Sequence, residues 1–379
     1  MTPPRTLVVT NDFPPRTGGI ESFVAALATR LPADEVVVYA SSSPGDAEVD
    51  ASLPFPVHRD QARTLLPTPR VRRRAADLLR SEGCDAVLFG AAAPLGLLAG
   101  ELRDAGASRL VGLTHGHELW WARLPGSRHV LRRIGDDTDA LTYLGEYTRR
   151  TLAGALAPGA AGRLVHLPPG VDADRFRPDA GGEQVRAELG AGARPLVLCV
   201  GRLTPRKGQD VLIRSFPDIL RRVPDALLVL VGEGPDRGRL ERLVDGAGLR
   251  DAVRLAGAVP AARLPAYYAA ATVFAMPCRD RRLGLEVEGL GLVFLEAAAS
   301  GLPVVVGRSG GAPDACRDGE TGFVVDATDR AALVARLGTL LLDRELAAVM
   351  GRRGRRWVQQ DWSWQRSIAV LQALLRSQE

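Results

Sequence analysis

Two cations, Arg202 and Lys207, stand five residues apart in the stretch GRLTPRKGQD at residues 201–210. Lys207 is the single lysine of the chain, and the rest of its 49 basic residues are arginines. A compact ammonium and a planar guanidinium suit different sites, so a lysine kept among arginines indicates a specific task. The pair follows an apolar run and precedes a helical pattern, where two cations can neutralise the charge on a departing diphosphate. The alternative is that codon bias left one lysine by chance.

Two carboxylates, Glu288 and Glu296, enclose a glycine-rich turn in the stretch EGLGLVFLE. Ionised carboxylates accept strong hydrogen bonds from hydroxyl groups. The turn leads into a helical pattern, and its backbone N–H groups can bind a phosphate or a sugar. The turn residues are therefore candidate ligand contacts: Gly289, Leu290, Gly291, Leu292 and Val293. The later stretch SGGAPD, at residues 309–314, repeats the order of strand, glycine pair and helix.

A glycine pair, Gly18 and Gly19, follows the first predicted strand in the stretch NDFPPRTGGIES. Glycines at such a place let the backbone approach a ligand at a helix N-terminus, where free N–H groups favour an anion. A tight turn without a ligand is the alternative interpretation. The spacing is not GxGxxG, so the dinucleotide-binding fingerprint is missing, which argues against an oxidoreductase.

Two of the five histidines, His115 and His117, lie beside Glu118 in the stretch LTHGHEL. The stretch follows a predicted parallel strand, and open α/β sheets bind ligands at the carboxyl ends of their strands. An HxH pair can supply half of a metal site, but the sequence offers no nearby Cys/His cluster to complete it. We therefore expect one of the two histidines to hydrogen-bond or polarise a ligand, in preference to binding a metal or serving as a buried structural residue.

The elements that must hold these residues alternate between short apolar strands and amphipathic helices. TLVVTN, EVVVYAS, AVLFGA and RLVGLTH predict strands in the first half, and GIESFVAALATRL predicts a helix. The same alternation begins again in the second half, where the predicted strands are PLVLCVGRL, ALLVLVGEG, VRLAGAV, TVFAMPC and LPVVVGRSGG. The sequence therefore predicts an α/β protein of two Rossmann-like halves. LPPGVDADRFRP, at residues 167–178, is the predicted hinge, and residues 357–375 carry a long helical pattern.

The composition is that of a soluble globular protein, because 46% of the 379 residues are hydrophobic and 25% are charged. Four widely spaced cysteines without a CxxC pair fit a reducing compartment. The N-terminal stretch MTPPRTLVVTNDF has no signal-peptide pattern. No uncharged run is longer than that at residues 86–100, which is too short and too rich in glycine and alanine to span a bilayer. We therefore expect a cytoplasmic protein that does not cross the membrane.

A basic segment, RTLLPTPRVRRRAADLLR, occupies residues 63–80 and contains one acidic residue. Its apolar residues Val71, Ala75, Leu78 and Leu79 recur at near-helical spacing. Two interpretations stay open: an amphipathic helix on an anionic membrane surface, or a solvated helix that covers a sheet. The formal net charge of +5 fits an anionic partner. Nucleic acid is disfavoured, because no binding motif is recognisable and aromatic residues make up only 5%.

Taken in order, these motifs resemble the retaining GT-B glycosyltransferases of family 4. The motifs are the N-terminal GG loop, HG, the GVDxxxF hinge, GRLxxxKG, two glutamates separated by seven residues, SGGxP and the closing WSW. Within that family, NDFPPRTGGIES, THGHE, PRKGQD and EVEGLG most resemble the actinobacterial enzymes that transfer mannose from GDP-mannose to phosphatidylinositol monomannoside. The resemblance covers nearly the whole chain.

The resemblance implies a GT-B fold with a deep cleft between two Rossmann-like domains. It implies an acceptor domain over residues 1–172, a nucleotide-sugar donor domain over residues 173–360, and a closing helix, at about residues 361–379, that crosses back to the first domain. The implied activity is that of a retaining α-mannosyltransferase that needs neither a cofactor nor a metal ion. Its implied acceptor is a glycolipid at the inner face of the cell membrane, where the protein would be peripheral.

The same resemblance implies roles for the motif residues. Gly19 lies against the diphosphate of the donor. Arg202 and Lys207 stabilise the departing nucleoside diphosphate. Glu288 holds the hydroxyls of the donor sugar, and Glu296 holds the ribose.

One histidine and two donor contacts complete the implied site. The active-site histidine of the family falls on His115, with His117 as the alternative because the motif is doubled. Gly18 and Val259 are implied contacts of the donor. The implied catalytic set is His115, Arg202, Lys207 and Glu288.

Two stretches depart from the family pattern or escape it. The triplet DAD at residues 172–174 would hold a metal in another class of glycosyltransferase, but it lies within the hinge, and we interpret it as a turn. The basic loop CRDRRLGLEVEG has no predicted contact. Two other functions stay open: a related transferase with a soluble or different lipid acceptor, and a nucleotide-sugar- or phospholipid-binding protein without turnover.

Overall fold

The chain divides into two compact units in a computed structural model that describes residues 4–116 and 118–376. The first unit comprises Met1–Pro169 and Gln365–Glu379, and the second comprises Gly170–Trp364. Each is built around a parallel β-sheet, as the alternation of strands and helices predicts. Within the described ranges, every helix falls short of the length or the hydropathy that a bilayer span requires.

The first unit contains a parallel sheet of seven strands in its described part. The strands are β1 (Thr6–Thr10), β2 (Val36–Ser41), β3 (Val57–Asp60), β4 (Ala86–Phe89), β5 (Arg109–Gly112), β6 (Ala140–Tyr143) and β7 (Leu164–His166). The helices are α1 (Gly19–Ala28), α2 (Asp46–Ala51), α3 (Pro69–Ser81), α4 (Ala92–Leu95), α5 (Ala99–Asp104), α6 (Glu118–Arg123), α7 (Pro125–Asp137), α8 (Glu146–Ala153) and α9 (Pro158–Ala161). The strand order is β3-β2-β1-β4-β5-β6-β7, so it reverses between β1 and β4.

The second unit contains a parallel sheet of six strands among the described residues. The strands are β8 (Leu196–Val200), β9 (Leu227–Val231), β10 (Val253–Gly257), β11 (Val273–Met276), β12 (Val304–Gly307) and β13 (Gly322–Val325). The helices are α10 (Gly182–Glu188), α11 (Gln209–Leu220), α12 (Arg237–Gly246), α13 (Leu264–Ala270), α14 (Leu292–Ala299), α15 (Arg330–Leu342) and α16 (Arg344–Asp361). The order β10-β9-β8-β11-β12-β13 reverses between β8 and β11.

The central strands form because they are continuous apolar runs that can be buried on both faces. All five residues of β1 are buried, and so are all five of β8. In the first sheet, Leu7 is in register with Val37 of β2 and with Val87 of β4. Strands covered on both faces read as uninterrupted β-branched and aliphatic sequence, which is why they were predictable.

The nine predicted strands are confirmed as β1, β2, β4, β5 and β8–β12. Four others escaped prediction: β3, β6, β7 and β13. Their sequences are VHRD, ALTY, LVH and GFVV, so each has only three or four residues and most carry polar side chains or begin with glycine. They are recruited by pairing with a neighbouring strand rather than by their own hydrophobic pattern.

Helix α3 resolves the interpretation of the basic segment. Its apolar residues Val71, Ala75, Leu78 and Leu79 are at most 2% exposed and belong to the core cluster that contains Leu7. The interpretation of α3 as a helix that places its apolar face in a membrane is therefore wrong. The face is already buried against the sheet, and only the arginine face remains outward.

The last helical pattern is interrupted. Helix α16 ends at Asp361, and a separate helix, α17 (Trp364–Leu375), follows. The chain from Gln365 onward belongs to the first unit. There Ser367 donates a hydrogen bond of 2.7 Å to the carbonyl of Pro168, and Arg109 donates one of 2.9 Å to the carbonyl of Leu374. The predicted return of the C-terminal helix to the first domain is confirmed.

Candidate active site

Two of the predicted donor residues of the second unit, Lys207 and Glu288, lie where its strand order reverses, whereas Val259 follows the edge strand β10. Open α/β sheets bind ligands outside the carboxyl ends of the two strands that flank such a reversal. These strands are β8 and β11, and the chain after them carries Lys207 and Glu288. Ordinary crossover topology therefore brings together two residues that are 81 positions apart.

Glycine allows the segment after β8 to approach the segment after β11. Gly208 has φ of 77°, and a Cβ atom there would lie 2.1 Å from the carbonyl oxygen of Pro277. No side chain fits at that distance, and a left-handed backbone favours glycine. The short turn Pro205–Lys207 ends at this glycine, so the Lys207 side chain leaves the turn beside the second segment.

Lys207 and Arg206 converge on one carboxylate oxygen. The Nζ atom of Lys207 lies 2.8 Å from Oε2 of Glu288, and Nη1 of Arg206 lies 2.5 Å from the same oxygen. Glu288 is 7% exposed. Burial alone would raise the pKa of this carboxyl, but Lys207 and Arg206 hold the pKa below its usual value. Glu288 is therefore ionised at neutral pH, and two cations share its charge.

The backbone of Glu288 is fixed by the glycine pair after β12. The Glu288 N–H donates to Oγ of Ser309 at 3.1 Å, and the Ser309 hydroxyl donates to Asp280 at 2.7 Å. The N–H of Gly311 donates to the carbonyl of Glu288 at 2.8 Å. Gly310 has φ of 49°, and a Cβ there would lie 2.3 Å from that carbonyl oxygen. The stretch SGGAPD thus fixes the position of the Glu288 backbone through these hydrogen bonds and this close approach.

Arg202 does not join this ion cluster. Its side chain is exposed, and its guanidinium makes no hydrogen bond or ion pair with the described residues. Its backbone carbonyl accepts a hydrogen bond of 3.3 Å from Gln209. Arg206 is the arginine that stands beside Lys207, and the sequence analysis missed it. The available signal was its place in PRKG, next to the single lysine.

Glu296 lies on α14, one turn after the glycine-rich turn, and is partly buried. The hydroxyl of Tyr268 donates a hydrogen bond of 2.8 Å to its Oε2 atom. Burial raises the pKa of Glu296, although Tyr268 and the more distant Arg175 act in the opposite direction. Tyr268 is fully buried, so its ring fixes the direction of the hydrogen bond.

The turn between Glu288 and Glu296 can contact a ligand through its backbone N–H groups rather than through its side chains. Leu290 is 3% exposed, so its side chain packs inward. Gly291 precedes α14 in a left-handed conformation, and Leu292 and Val293 open the helix. Their N–H groups belong to the first turn, which lacks partners within the helix. Val259 follows β10 and is half-buried.

The glycine pair of the first unit also follows a strand at a point of reversal. Gly18 is the N-cap of α1, and α1 begins at Gly19 directly after the loop that follows β1. Gly19 is exposed, and a Cβ atom there would have open space around it. The N–H groups at this helix start can donate hydrogen bonds to an anion.

His115 lies in the loop after β5 and reaches the end of β4. Its Nε2 atom is 2.6 Å from the carbonyl oxygen of Gly90. A carbonyl oxygen only accepts, so Nε2 carries the proton in this contact. The ring of Phe23 meets the imidazole edge to face at 5.8 Å between centroids. The buried Glu118 accepts from the N–H groups of His115 at 2.9 Å and Gly116 at 3.2 Å, which fixes the loop. His117 lies outside the described residues.

The hinge triplet forms a turn, as we interpreted it. Oδ1 of Asp172 accepts hydrogen bonds from the N–H groups of Asp174 at 3.1 Å and Arg175 at 3.0 Å. An aspartate that accepts from N–H groups two and three residues later is a common turn device. Within residues 4–116 and 118–376, no group of three or more His, Cys, Asp or Glu side chains is placed to hold a metal ion.

Two family models match the chain, one over most of each half. The family model described as Glycosyltransferase Family 4 matches residues 17–175, and that described as Glycosyl transferases group 1 matches residues 183–357. The chain is 49% identical to the GDP-mannose-dependent alpha-(1-6)-phosphatidylinositol monomannoside mannosyltransferase of Mycolicibacterium smegmatis, over 97% of each chain. It is 36% identical to the D-inositol 3-phosphate glycosyltransferase of Corynebacterium jeikeium, over 67% of this chain and 61% of that one.

Solved structures share the fold at lower identity. The Anabaena protein Alr3699/HepE, in complex with UDP, gives a TM-score of 0.82 at 18% identity and covers 98% of this chain and 99% of that one. At that identity the likeness speaks for the fold and not for the substrate.

Proposed function

The chain belongs to family 4 of the glycosyltransferases, and from this premise we propose that it transfers mannose from GDP-mannose to phosphatidylinositol monomannoside in an α-(1-6) linkage. The observation that carries the proposal is the identity of 49% over 97% of both chains with an enzyme of that name. The match spans both units. Retention of the anomeric configuration belongs to the same proposal.

Lys207 is proposed to stabilise the departing diphosphate. An ammonium offers three N–H donors, and the contact with Glu288 uses one of them. The others can meet phosphate oxygens as their negative charge grows. The cation is already held by a carboxylate before the donor binds, so little reorganisation is needed during the reaction. Arg206 and the exposed Arg202 would add positive charge around the same phosphates.

Glu288 is proposed to hold hydroxyls of the transferred sugar. Its depressed pKa keeps it an acceptor at neutral pH, and its position beside Lys207 would place the sugar next to the leaving phosphate. Glu296 is proposed to accept the ribose hydroxyls. The first N–H groups of α14, together with Val259, would line the rest of the donor.

The first unit is proposed to supply the remaining contacts. Gly18 and Gly19 would bring the start of α1 close to the donor diphosphate. His115 would contact the sugar through its ring, which Gly90 and Phe23 orient. His117 remains the alternative histidine. No metal or cofactor is part of the proposal, because cationic side chains are available for the leaving charge.

Peripheral binding at the inner face of the membrane is part of the proposal and depends on the arginine face of α3. Arg70 is engaged within the unit, because it donates hydrogen bonds of 2.8 and 2.7 Å to the buried carboxylate of Asp60. This pairing lowers the pKa of Asp60 to about 2. Arg73 and Arg74 are exposed and make no ion pair with the described residues. They are therefore the arginines that anionic lipid would attract.

A transfer assay with crossed donors and acceptors tests the proposal. The purified protein is incubated with GDP-mannose, UDP-glucose or UDP-N-acetylglucosamine, each with phosphatidylinositol monomannoside or D-inositol 3-phosphate. Mass spectrometry of the products should show one added hexose on the lipid with GDP-mannose. Donor binding without any product would instead favour a binding protein.

A soluble acceptor is the second candidate function. It is favoured by the 36% identity to a D-inositol 3-phosphate glycosyltransferase over 67% of this chain. That match is lower in identity and shorter than the match to the lipid-modifying enzyme. Product formed on D-inositol 3-phosphate, and not on the lipid, would establish it.

A further inference from the structure

A buried carboxylate, Asp210, lies at the start of α11, three residues after Lys207. Its Oδ2 atom is 2.8 Å from Arg214, 3.0 Å from Arg279 and 3.5 Å from Arg239. Only 3% of the aspartate is exposed. Burial would raise its pKa, but the surrounding arginines, Arg279 foremost, hold the pKa below its usual value. Asp210 is therefore a buried anion with three guanidinium partners.

The partners of Asp210 come from segments that follow different strands. Asp210 itself follows β8, and Arg279 follows β11 in the loop that leads to Glu288. Arg239 lies on α12 after β9, and it also binds Asp236 at 2.5 Å. One carboxylate thus joins the carboxyl-end segments of three neighbouring strands, including both strands at the reversal. A residue that served only α11 would not need partners from three segments.

The connection continues from Asp210 to the ion cluster at Glu288. The backbone N–H of Arg279 donates a hydrogen bond of 2.9 Å to the carbonyl of Arg206. Arg206 and Lys207 in turn contact Glu288. The position of the lysine therefore depends on Asp210 through two contacts, one with a side chain and one with the backbone.

We propose that Asp210 is a positioning residue that holds Arg279, and with it the turn bearing Arg206 and Lys207, against Glu288. Asp210 does not touch the charged groups of Arg206, Lys207 or Glu288, and its contact with Arg279 is what links it to the turn that bears Arg206 and Lys207. The catalytic part of this inference rests on the proposed transferase function, whereas the structural coupling does not. Displacing a catalytic group by about 1 Å can cost about 100-fold in rate, so a residue of this kind acts strongly at a distance.

The test replaces Asp210 by asparagine, which keeps the shape and removes the charge. We expect kcat to fall by roughly 10- to 100-fold, with a smaller change in the KM for GDP-mannose, because Lys207 acts mainly on charge that grows in the transition state. Amide hydrogen exchange, measured without substrate, should become faster in the segments 201–210, 232–239 and 277–288 together. A merely stabilising side chain would change the unfolding midpoint without this pattern.

Asp218→Asn is the matched control. Asp218 lies on the same helix and binds Arg221 at 2.6 Å and Arg330 at 3.2 Å. It too is a carboxylate between arginines, but its partners do not lie on the segments at the carboxyl ends of β8, β9 and β11. We expect its kcat and its exchange in those segments to match the parent.

Arg279→Gln gives a second route if Asp210→Asn folds poorly. The Arg279 side chain is 27% exposed, so its replacement leaves a smaller buried defect. It should reproduce the loss of kcat, and the double variant should lose less than the product of the two single losses. Parent-like kcat and parent-like exchange in both single variants would overturn the inference. A parent that transfers no mannose would contradict the proposed function instead, and the exchange measurement would still decide the coupling.

Discussion

Replacing Lys207 by arginine keeps the charge and changes the shape, so it tests why a chain rich in arginine carries a lysine here. The Lys207 side chain is 13% exposed, and its ammonium is 2.8 Å from Oε2 of Glu288. Arg206 already occupies that oxygen at 2.5 Å. In Lys207→Arg, a second planar guanidinium would have to share that oxygen with Arg206. It would occupy a buried space in which Lys207 now places a single nitrogen. The neighbour that a guanidinium at position 207 would crowd is thus Arg206, and not Arg202, the other cation of the predicted pair.

The size of the effect follows from the proposed role. Losing one preorganised donor at a developing anion costs about 3–4 kcal/mol, or about 10²–10³ in rate. Arginine retains the charge but not the geometry, so we expect Lys207→Arg to lose roughly 10- to 100-fold, or about 1.4–2.7 kcal/mol. Lys207→Ala should lose the full amount. In both variants kcat should fall more than the KM for the donor rises.

The assay is steady-state transfer with GDP-mannose as the varied substrate, accompanied by thermal unfolding. Arg221→Lys is the control, because this arginine is 73% exposed and lies at the far end of α11. Its turnover should match the parent, as should the unfolding midpoint of Lys207→Arg to within a few degrees. Full activity of Lys207→Arg would refute the reasoning, since the lysine would then be an accident of codon use.

Three further predictions concern the metal, the membrane and the ribose. Turnover should persist in EDTA, because cationic side chains can carry the leaving charge; loss of activity that Mn²⁺ restores would instead make the hinge aspartates metal ligands. Replacing both Arg73 and Arg74 by glutamine should weaken binding to anionic liposomes by about 2 kcal/mol, at about 1 kcal/mol for each base. Unchanged liposome binding would leave them as solvated surface residues. Tyr268→Phe should raise the KM for the donor several-fold with little change in kcat, because Glu296 would lose the hydrogen bond that orients it; an equal fall in kcat with unchanged KM would contradict that role.

The sequence predicted the two sheets because their central strands carry a strong local signal. Runs such as LVLCV and LLVLV are apolar throughout, and burial on both faces leaves no other pattern. The edge strand VHRD could not be found in the same way, since three of its four residues are polar. Its pairing with β2 depends on a neighbour more than ten residues away, and local periodicity does not record such a partner.

Candidate site residues could be predicted where composition or spacing marks them. Lys207 was marked by its uniqueness, and Glu288 by its glycine-rich surroundings. Asp210 was not marked, because it is one charged residue among many of its kind, and Arg206 was marked only by its place next to Lys207. Their importance comes from contacts with residues roughly 70 to 80 positions away, which only the folded chain brings near.

The membrane interpretation of α3 shows a limit of amphipathic patterns. An apolar stripe opposite an arginine stripe fits a bilayer surface and the face of a sheet equally well. The sequence of α3 contains both stripes, but nothing in it says which apolar surface is nearby. The core around Leu7 takes the apolar face, so only electrostatic attraction remains for the arginines.

The transferred sugar itself gives the most direct test of the proposed function. The protein is supplied with GDP-mannose labelled with ¹³C at the anomeric carbon and with phosphatidylinositol monomannoside, and the purified product is examined by NMR. We predict one added mannose, α-configured as in the donor and joined to the lipid head group through a (1-6) linkage. A β-configured product, attachment at another hydroxyl, or transfer only to D-inositol 3-phosphate would contradict the account.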